Sequence, residues 1–68
     1  GKGVCSAAAA KALIRDMIAV ERHSEPLSDV ALAQRLADRG ILVARRTVTK
    51  YRQAMRISSA ELRRRDPV

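Results

Sequence analysis

The sequence is poor in aromatic and in cross-linking residues. Its 68 residues include no Trp and no Phe, and only one Tyr, one Cys and one His. A lone Cys cannot form an internal disulfide, and one Cys with one His cannot complete a zinc site of the usual spacing. A core without large rings must be built from Leu, Ile, Val, Met and Ala, which favours packed helices over a sheet. We therefore expect one small all-α domain with no metal and no cofactor.

Long apolar runs are missing as well, and so are the groups that catalysis needs. No stretch approaches the roughly 20 apolar residues that span a bilayer. The segment from Ala7 to Ala10 is too short and too weakly apolar for a signal peptide. The carboxylates are scattered, and no second His, Cys partner or Gly-rich phosphate loop accompanies them. These absences argue against an enzyme and make a reducing cytoplasm the expected compartment.

Acidic residues are absent from the segment between Arg39 and Ala60, which holds six basic residues. The whole chain has a formal net charge of +7 and a sequence pI of about 11.1. Such a balance predicts a polyanionic partner, because Lys and Arg that bind phosphates release condensed counterions. Charge alone leaves three partners open, namely duplex DNA, RNA and an anionic membrane surface.

Apolar residues recur at helical spacing in three segments. The first helix is predicted from Ala7 to about Arg22 with Ser6 as its N-cap, and the second from Asp29 to Arg39 with Ser28 as its N-cap. The third is predicted from Ala44 to about Met55 or the residue after it. The positions expected in the core are Ala10, Leu13, Ile14, Met17, Ile18, Leu32, Ala33, Leu36, Val48, Tyr51 and Met55, together with Ala37 or Val30.

The connections between these helices suggest the domain limits. Gly40 suits the left-handed residue that ends a helix, because it bears no Cβ, and Ile41 and Val43 of the turn after it are expected beneath the helices. Residues 6–57 are predicted to form a three-helix bundle that contains a helix-turn-helix. Residues 1–5 are predicted to be a disordered lead, and residues 58–68 a basic flexible tail.

The third helix is predicted to have one basic face. At roughly 100° per residue, Arg46, Lys50 and Gln53 fall opposite Val48 and the other core positions. The second helix of a helix-turn-helix lies in the DNA major groove, where its N-terminal residues meet base edges. Arg46, one turn from the start, can present a two-pronged fork to O6 and N7 of guanine. The pattern thus favours sequence-specific binding of duplex DNA.

The same residues carry a family resemblance. The string from Ala44 to Gln53 resembles the signature box of the sigma-54 family, the enhancer-dependent sigma factors of bacterial RNA polymerase, whose usual form is A-R-R-T-V-A-K-Y-R-E. Eight of the ten positions match, and the departures are Thr49, usually Ala, and Gln53, usually Glu. Glu21 and the segment from Pro26 to Asp29 also resemble the family pattern.

The resemblance implies a C-terminal promoter-recognition domain that binds the guanine-containing minus-24 element in the bacterial cytoplasm. In that family, core RNA polymerase and an AAA+ activator engage other parts of the full-length protein. No dimerisation seam is visible in the sequence, so we expect a monomeric domain. The residues predicted to read bases are Arg45, Arg46, Thr49 and Lys50, and those predicted to contact phosphates are Ser28, Thr47, Tyr51, Arg52, Gln53 and Arg56.

Two alternatives of other classes remain at this point. A DNA-binding repressor module would need an additional dimer interface, and a 1:1 complex on an asymmetric site would exclude it. A basic segment that binds RNA or a membrane surface would show no preference for one duplex sequence.

Overall fold

The computed structural model describes residues 6–64, and it is helical with short connections. In chain order the helices are α1 (Ala7–Ala19), α2 (Asp29–Asp38), α3 (Arg45–Ala54) and α4 (Ala60–Arg63). Within the described residues there is no β-strand, and extended pairing is limited to an isolated bridge between Arg22 and Glu25. The lead predicted for residues 1–5 lies outside the described residues, as do residues 65–68 of the predicted tail.

Both predicted N-caps are present. The Ser6 hydroxyl accepts a hydrogen bond from the Ala9 N–H at 3.1 Å, and the Ser28 hydroxyl accepts one from the Ala31 N–H at 3.1 Å. The first helix is shorter than predicted, because it ends at Ala19 instead of continuing to Arg22. The chain leaves the helical path at Val20, whose side chain is 84% exposed, and so has no core contact to extend the helix.

Helices α2 and α3 end in the same way. After α2, the Ile41 N–H donates to the Leu36 carbonyl at 2.9 Å, and Gly40 has a positive φ of 82°. After α3, the Ile57 N–H donates to the Arg52 carbonyl at 3.0 Å, and the residue with positive φ is Arg56, at 59°. Each is a Schellman ending, which satisfies carbonyls of the last turn. The first was predicted from Gly40, and the second uses a residue for which this conformation is uncommon.

The core lies where the three long helices meet. Ile14 of α1, Leu32 and Leu36 of α2 and Val48 of α3 are fully buried, and Met17 is nearly so. Burying one such side chain contributes about 1.5–3 kcal/mol. The partly buried residues that pack against this cluster are Leu13, Ile18, Leu27, Ala33, Ile41, Val43, Tyr51 and Met55. The predicted apolar stripes are therefore confirmed, and of the two alternatives in α2, Ala37 is half-buried whereas Val30 is 60% exposed.

The start of the predicted flexible tail is structured, which corrects the sequence-based expectation from Ser58 to Arg64. Residues 60–63 form α4, and the Arg63 guanidinium bonds the Glu21 carboxylate through Nε–Oε2 at 2.8 Å and Nη2–Oε1 at 3.0 Å. It also donates to the carbonyls of Leu27 at 2.6 Å and of Ser58. Arg63 thereby ties the end of the described chain to the connection between α1 and α2.

Candidate nucleic-acid interface

The outer face of α3 carries exposed basic and polar side chains. Arg46, Lys50 and Gln53 are exposed at spacings of four and three residues, and Arg45 is exposed at the start of the helix. Among the described residues, none forms a hydrogen bond or ion pair with the side chains of Arg45, Arg46 or Lys50. The opposite face carries Val48, which has no exposed surface. The helix thus has one face held by the core and one basic face open to a ligand.

The N-terminus of α3 adds to this positive surface. Ala44 occupies the N-cap position and provides no side-chain hydrogen bond to the first turn. The first N–H groups of a helix lack partners within the helix, and they form the positive end of its dipole. Arg45 and Arg46 lie on this first turn. Positive side chains and unpartnered N–H donors therefore coincide at the start of α3.

Arg52 does not have the position predicted for it. Its residue surface is only 7% exposed, and its Nε and Nη2 donate to the Asp29 carboxylate at 3.0 and 3.2 Å, while Nη1 donates to the Ile57 carbonyl at 2.8 Å. A guanidinium with these three internal acceptors is not free to neutralise a phosphate. Arg52 is therefore withdrawn from the phosphate contacts, because the helical rotation that buries Val48 also brings the side chain four residues later inward.

Thr49 has a partner of its own. Its hydroxyl lies 2.7 Å from Asp29 Oδ2 and 3.1 Å from the Arg45 carbonyl, and the residue is half-buried. A hydroxyl has one hydrogen, and the shorter contact to a carboxylate takes it. Donation from Thr49 to a base is thus incompatible with this geometry, and only its methyl group and an oxygen lone pair remain for DNA.

The other predicted contacts surround the exposed face. Tyr51 packs against the core, and the Lys11 ammonium lies 5.5 Å from the centre of its ring. That distance is within the range of a cation–π contact. Ser28 is exposed at the start of α2, and its hydroxyl already accepts from the first turn. Gln53 and Arg56 are exposed and Thr47 is half-buried.

Comparison with known proteins shows the family. A family model described as "Sigma-54, DNA binding domain" matches residues 1–65. This chain belongs to the sigma-54 DNA-binding domain family. It is 48% identical over 63 residues to the RNA polymerase sigma-54 factor of Vibrio anguillarum, and 49% identical over 63 residues to that of Acidithiobacillus ferridurans. It is 44% identical over 64 residues to that of Escherichia coli.

These alignments cover 93–94% of this chain but only 13% of the length of each relative. Membership of the sigma-54 DNA-binding domain family gives the chain a function in DNA binding, and the family is not one of enzymes. None of the helices within residues 6–64 has the length and the apolar character of a membrane span. That part of the chain also holds no group of three or more His, Cys, Asp or Glu residues able to bind a metal.

Two acidic residues, Asp29 and Glu21, form ion pairs within this domain that were not predicted from the sequence. Burial raises the pKa of Asp29, but hydrogen bonds from Arg52 and Thr49 outweigh it, so the net pKa lies below the ordinary value. Burial likewise raises the pKa of Glu21, and hydrogen bonds from Arg63 and the Leu27 N–H outweigh it. Both carboxylates are therefore held ionised by partners distant in sequence, which periodicity within one helix does not reveal.

Proposed function

We propose that α2, the turn after it and α3 form a helix-turn-helix whose second helix enters the major groove of promoter DNA. The observation that carries this proposal is the exposed basic face of α3, with Arg46 and Lys50 unpaired inside the described domain and Val48 buried behind them. Helix α3 has 10 residues and one solvent-exposed face, as does the recognition helix that contacts bases in helix-turn-helix motifs. In this proposal the domain is the C-terminal part of a sigma-54 factor, and its site is the guanine-containing minus-24 element.

Arg46 is the proposed main reader of that element. It lies on the first turn of α3, which enters the groove deepest, and its guanidinium can donate two parallel bonds to O6 and N7 of one guanine. Arg45 is exposed beside it, and Lys50 is exposed one turn later on the same face. These two side chains reach neighbouring base edges, and Thr49 contributes at most its methyl group and a lone pair.

Phosphate contacts position the helix without reading sequence. The proposed contacts come from both helices and from the segment after α3, because the two strands of the backbone rise on either side of a groove-bound helix. Arg56 has the clearest role among them, since it is a cation exposed directly after the end of α3. The proposed phosphate-contacting residues are Ser28, Thr47, Tyr51, Gln53 and Arg56.

The partners of the full-length protein follow from the same proposal. One recognition helix reads one asymmetric element, so the domain binds as a monomer. Core RNA polymerase and an AAA+ activator engage parts of the protein outside this chain. Since the target is a chromosomal promoter in a bacterium, the site of action is the cytoplasm.

Removal of Arg46 tests base reading. We expect Arg46→Ala to weaken binding to a duplex that contains the guanine pair by about 1–3 kcal/mol, because one bidentate contact is lost. Binding to a duplex with the guanines substituted should change much less, so the ratio of the two affinities shrinks. Arg46→Lys should restore only part of that ratio, because an ammonium cannot reproduce the planar fork. Fluorescence anisotropy at fixed salt measures both dissociation constants.

The control is Arg15→Ala, which removes the same charge from an exposed position of α1. It should leave the ratio of affinities unchanged. Equal loss on both duplexes in Arg46→Ala would show that Arg46 contacts phosphate, and the assignment of Arg46 to a base would then be withdrawn.

Salt dependence tests the phosphate contacts. The logarithm of the association constant should fall linearly with the logarithm of salt concentration, with a slope of about −0.9 for each phosphate neutralised. Arg56→Ala should weaken binding to both duplexes alike and make this slope less steep by about one. A slope near zero for the unchanged domain would exclude binding of DNA through this basic face.

A further inference from the structure

Asp29 connects the two helices of the proposed helix-turn-helix through one carboxylate. Its Oδ1 accepts from Arg52 Nε at 3.0 Å, and its Oδ2 accepts both from the Thr49 hydroxyl at 2.7 Å and from Arg52 Nη2 at 3.2 Å. Asp29 is the first residue of α2, whereas Thr49 and Arg52 lie three residues apart on α3. The carboxylate thus bonds two points of the helix that carries the basic face.

We infer that Asp29 is a positioning residue for DNA recognition, and that it sets the rotation of α3 through Thr49 and Arg52. The inference rests on the proposed function, since it supposes that α3 reads the groove. Asp29 itself touches no base in this account. It acts by holding the side chains that do.

Rotation of α3 about its axis is the movement that these bonds restrict. The buried contacts of Val48 are apolar and without direction, so they permit small rotations. A rotation of about 10° moves a side-chain end roughly 6 Å from the helix axis by about 1 Å. Recognition contacts tolerate only about 0.5 Å. Directional bonds from Asp29 therefore matter for the alignment of Arg46 and Lys50 with base edges.

The bond from Arg52 to the Ile57 carbonyl, at 2.8 Å, extends this arrangement beyond the helix. One guanidinium contacts both α2 and the segment that follows α3, and its side chain is only 9% exposed. Its planar donors fix direction better than a single ammonium could. Arg52 thereby connects the last turn of α3 to the same carboxylate that bonds Thr49.

A double-mutant cycle tests the inference with Thr49→Val, Asp29→Asn and the pair together. Thr49→Val removes the hydroxyl but keeps the branched shape, and Asp29→Asn keeps the shape but removes the charge. We measure dissociation constants for the duplex with the guanine pair and for the guanine-substituted duplex, at fixed salt. Each single change should lower the ratio of affinities by about 3- to 10-fold, and the double change should lower it by less than the product of the two single effects, because both changes weaken the same contact between Thr49 and Asp29.

Three further variants separate positioning from other roles. Thr49→Ser retains the hydroxyl, so the ratio of affinities for the two duplexes should be retained. If the Thr49 methyl group contacted a base instead, Thr49→Ser would lose that contact and lower the ratio. Thr47→Val removes a hydroxyl that does not bond Asp29, and should weaken both duplexes alike. Arg52→Lys should lower the ratio while circular dichroism shows the helices intact.

The outcomes that would overturn the inference are specific. Additive losses from Thr49→Val and Asp29→Asn would show that Thr49 contacts a base directly. An unchanged ratio of affinities in Thr49→Val would show that the bond from Thr49 to Asp29 has no part in recognition. This variant leaves the ion pair between Asp29 and Arg52 in place, so its result does not depend on the loss of a charge. Should the unchanged domain itself fail to prefer the guanine duplex, the proposed function fails first, which is a result distinct from either of these.

Discussion

Val48→Asp should abolish the cooperative fold of this domain. Val48 is fully buried against Ile14, Leu32 and Leu36, so the new carboxylate would lie in an apolar site with no partner. Burying an unpaired charge costs more than a small domain with a total stability of about 5 kcal/mol can offset. Far-ultraviolet circular dichroism should show loss of helix at 25 °C, and binding to every duplex should disappear.

Two matched variants separate the effect of the charge from that of the site. Val48→Ala introduces no charge and should lower the free energy of unfolding by about 2 kcal/mol, since it leaves a small cavity. Ala54→Asp places the same charge on the same helix at an exposed position, and should cost less than about 1 kcal/mol. If Val48→Asp melts cooperatively near the temperature of the unchanged domain, α3 does not present Val48 to the core.

The features that were predicted from the sequence are local ones. The caps by Ser6 and Ser28 and the end of α2 at Gly40 depend on residues within five positions of each other. The buried positions Ile14, Leu32, Leu36 and Val48 follow from helical spacing alone. Capping hydrogen bonds and the helical period of 3.6 residues can be predicted from one segment alone, because they do not depend on the segments packed against it.

The features that were missed depend on contacts between distant segments. The bonds from Arg52 to Asp29 span 23 residues, and those from Arg63 to Glu21 span 42. In the sequence, an arginine of a basic helix looks the same whether its side chain faces DNA or a buried carboxylate. One signal was available for Arg52, because it follows Val48 by four residues and so shares its side of α3. None was available for Arg63, since the run of arginines resembles a solvated tail.

The pairing of Arg63 with Glu21 leads to the second large effect. The Glu21 side chain is 5% exposed and that of Arg63 is 11% exposed. In Arg63→Ala the Glu21 carboxylate would remain inside with only the Leu27 N–H, at 2.8 Å, as a donor. Breaking a buried pair costs roughly 3–5 kcal/mol, and we expect about 3 kcal/mol here because Arg63 retains some access to water. Urea unfolding at pH 7 measures the loss.

Arg64→Ala is the control for that change. Arg64 follows Arg63 directly, and its side chain is exposed. Its backbone N–H donates to the Ala60 carbonyl, a bond that the substitution does not remove. The substitution removes the same charge and should change the free energy of unfolding by less than about 0.5 kcal/mol. Equal small effects of the two substitutions would show that α4 contributes nothing to the stability of the fold.

The pH dependence distinguishes the ion pair from simple packing by Arg63. The pKa of Glu21 is lower in the folded domain than its ordinary value, because the hydrogen bonds from Arg63 and Leu27 outweigh the effect of burial. The pair therefore stabilises the domain fully at pH values above the ordinary pKa of a glutamate, and that contribution is lost as the pH falls through the lowered pKa of the folded domain. The charge of Arg63 also helps to lower the pKa of Asp29, so the loss of this effect in Arg63→Ala contributes to the difference with the same sign as the loss at Glu21. The difference in unfolding free energy between the unchanged domain and Arg63→Ala should thus be largest near pH 7 and shrink toward pH 2. A difference that stays constant over this range would assign the role of Arg63 to the packing of its aliphatic stem.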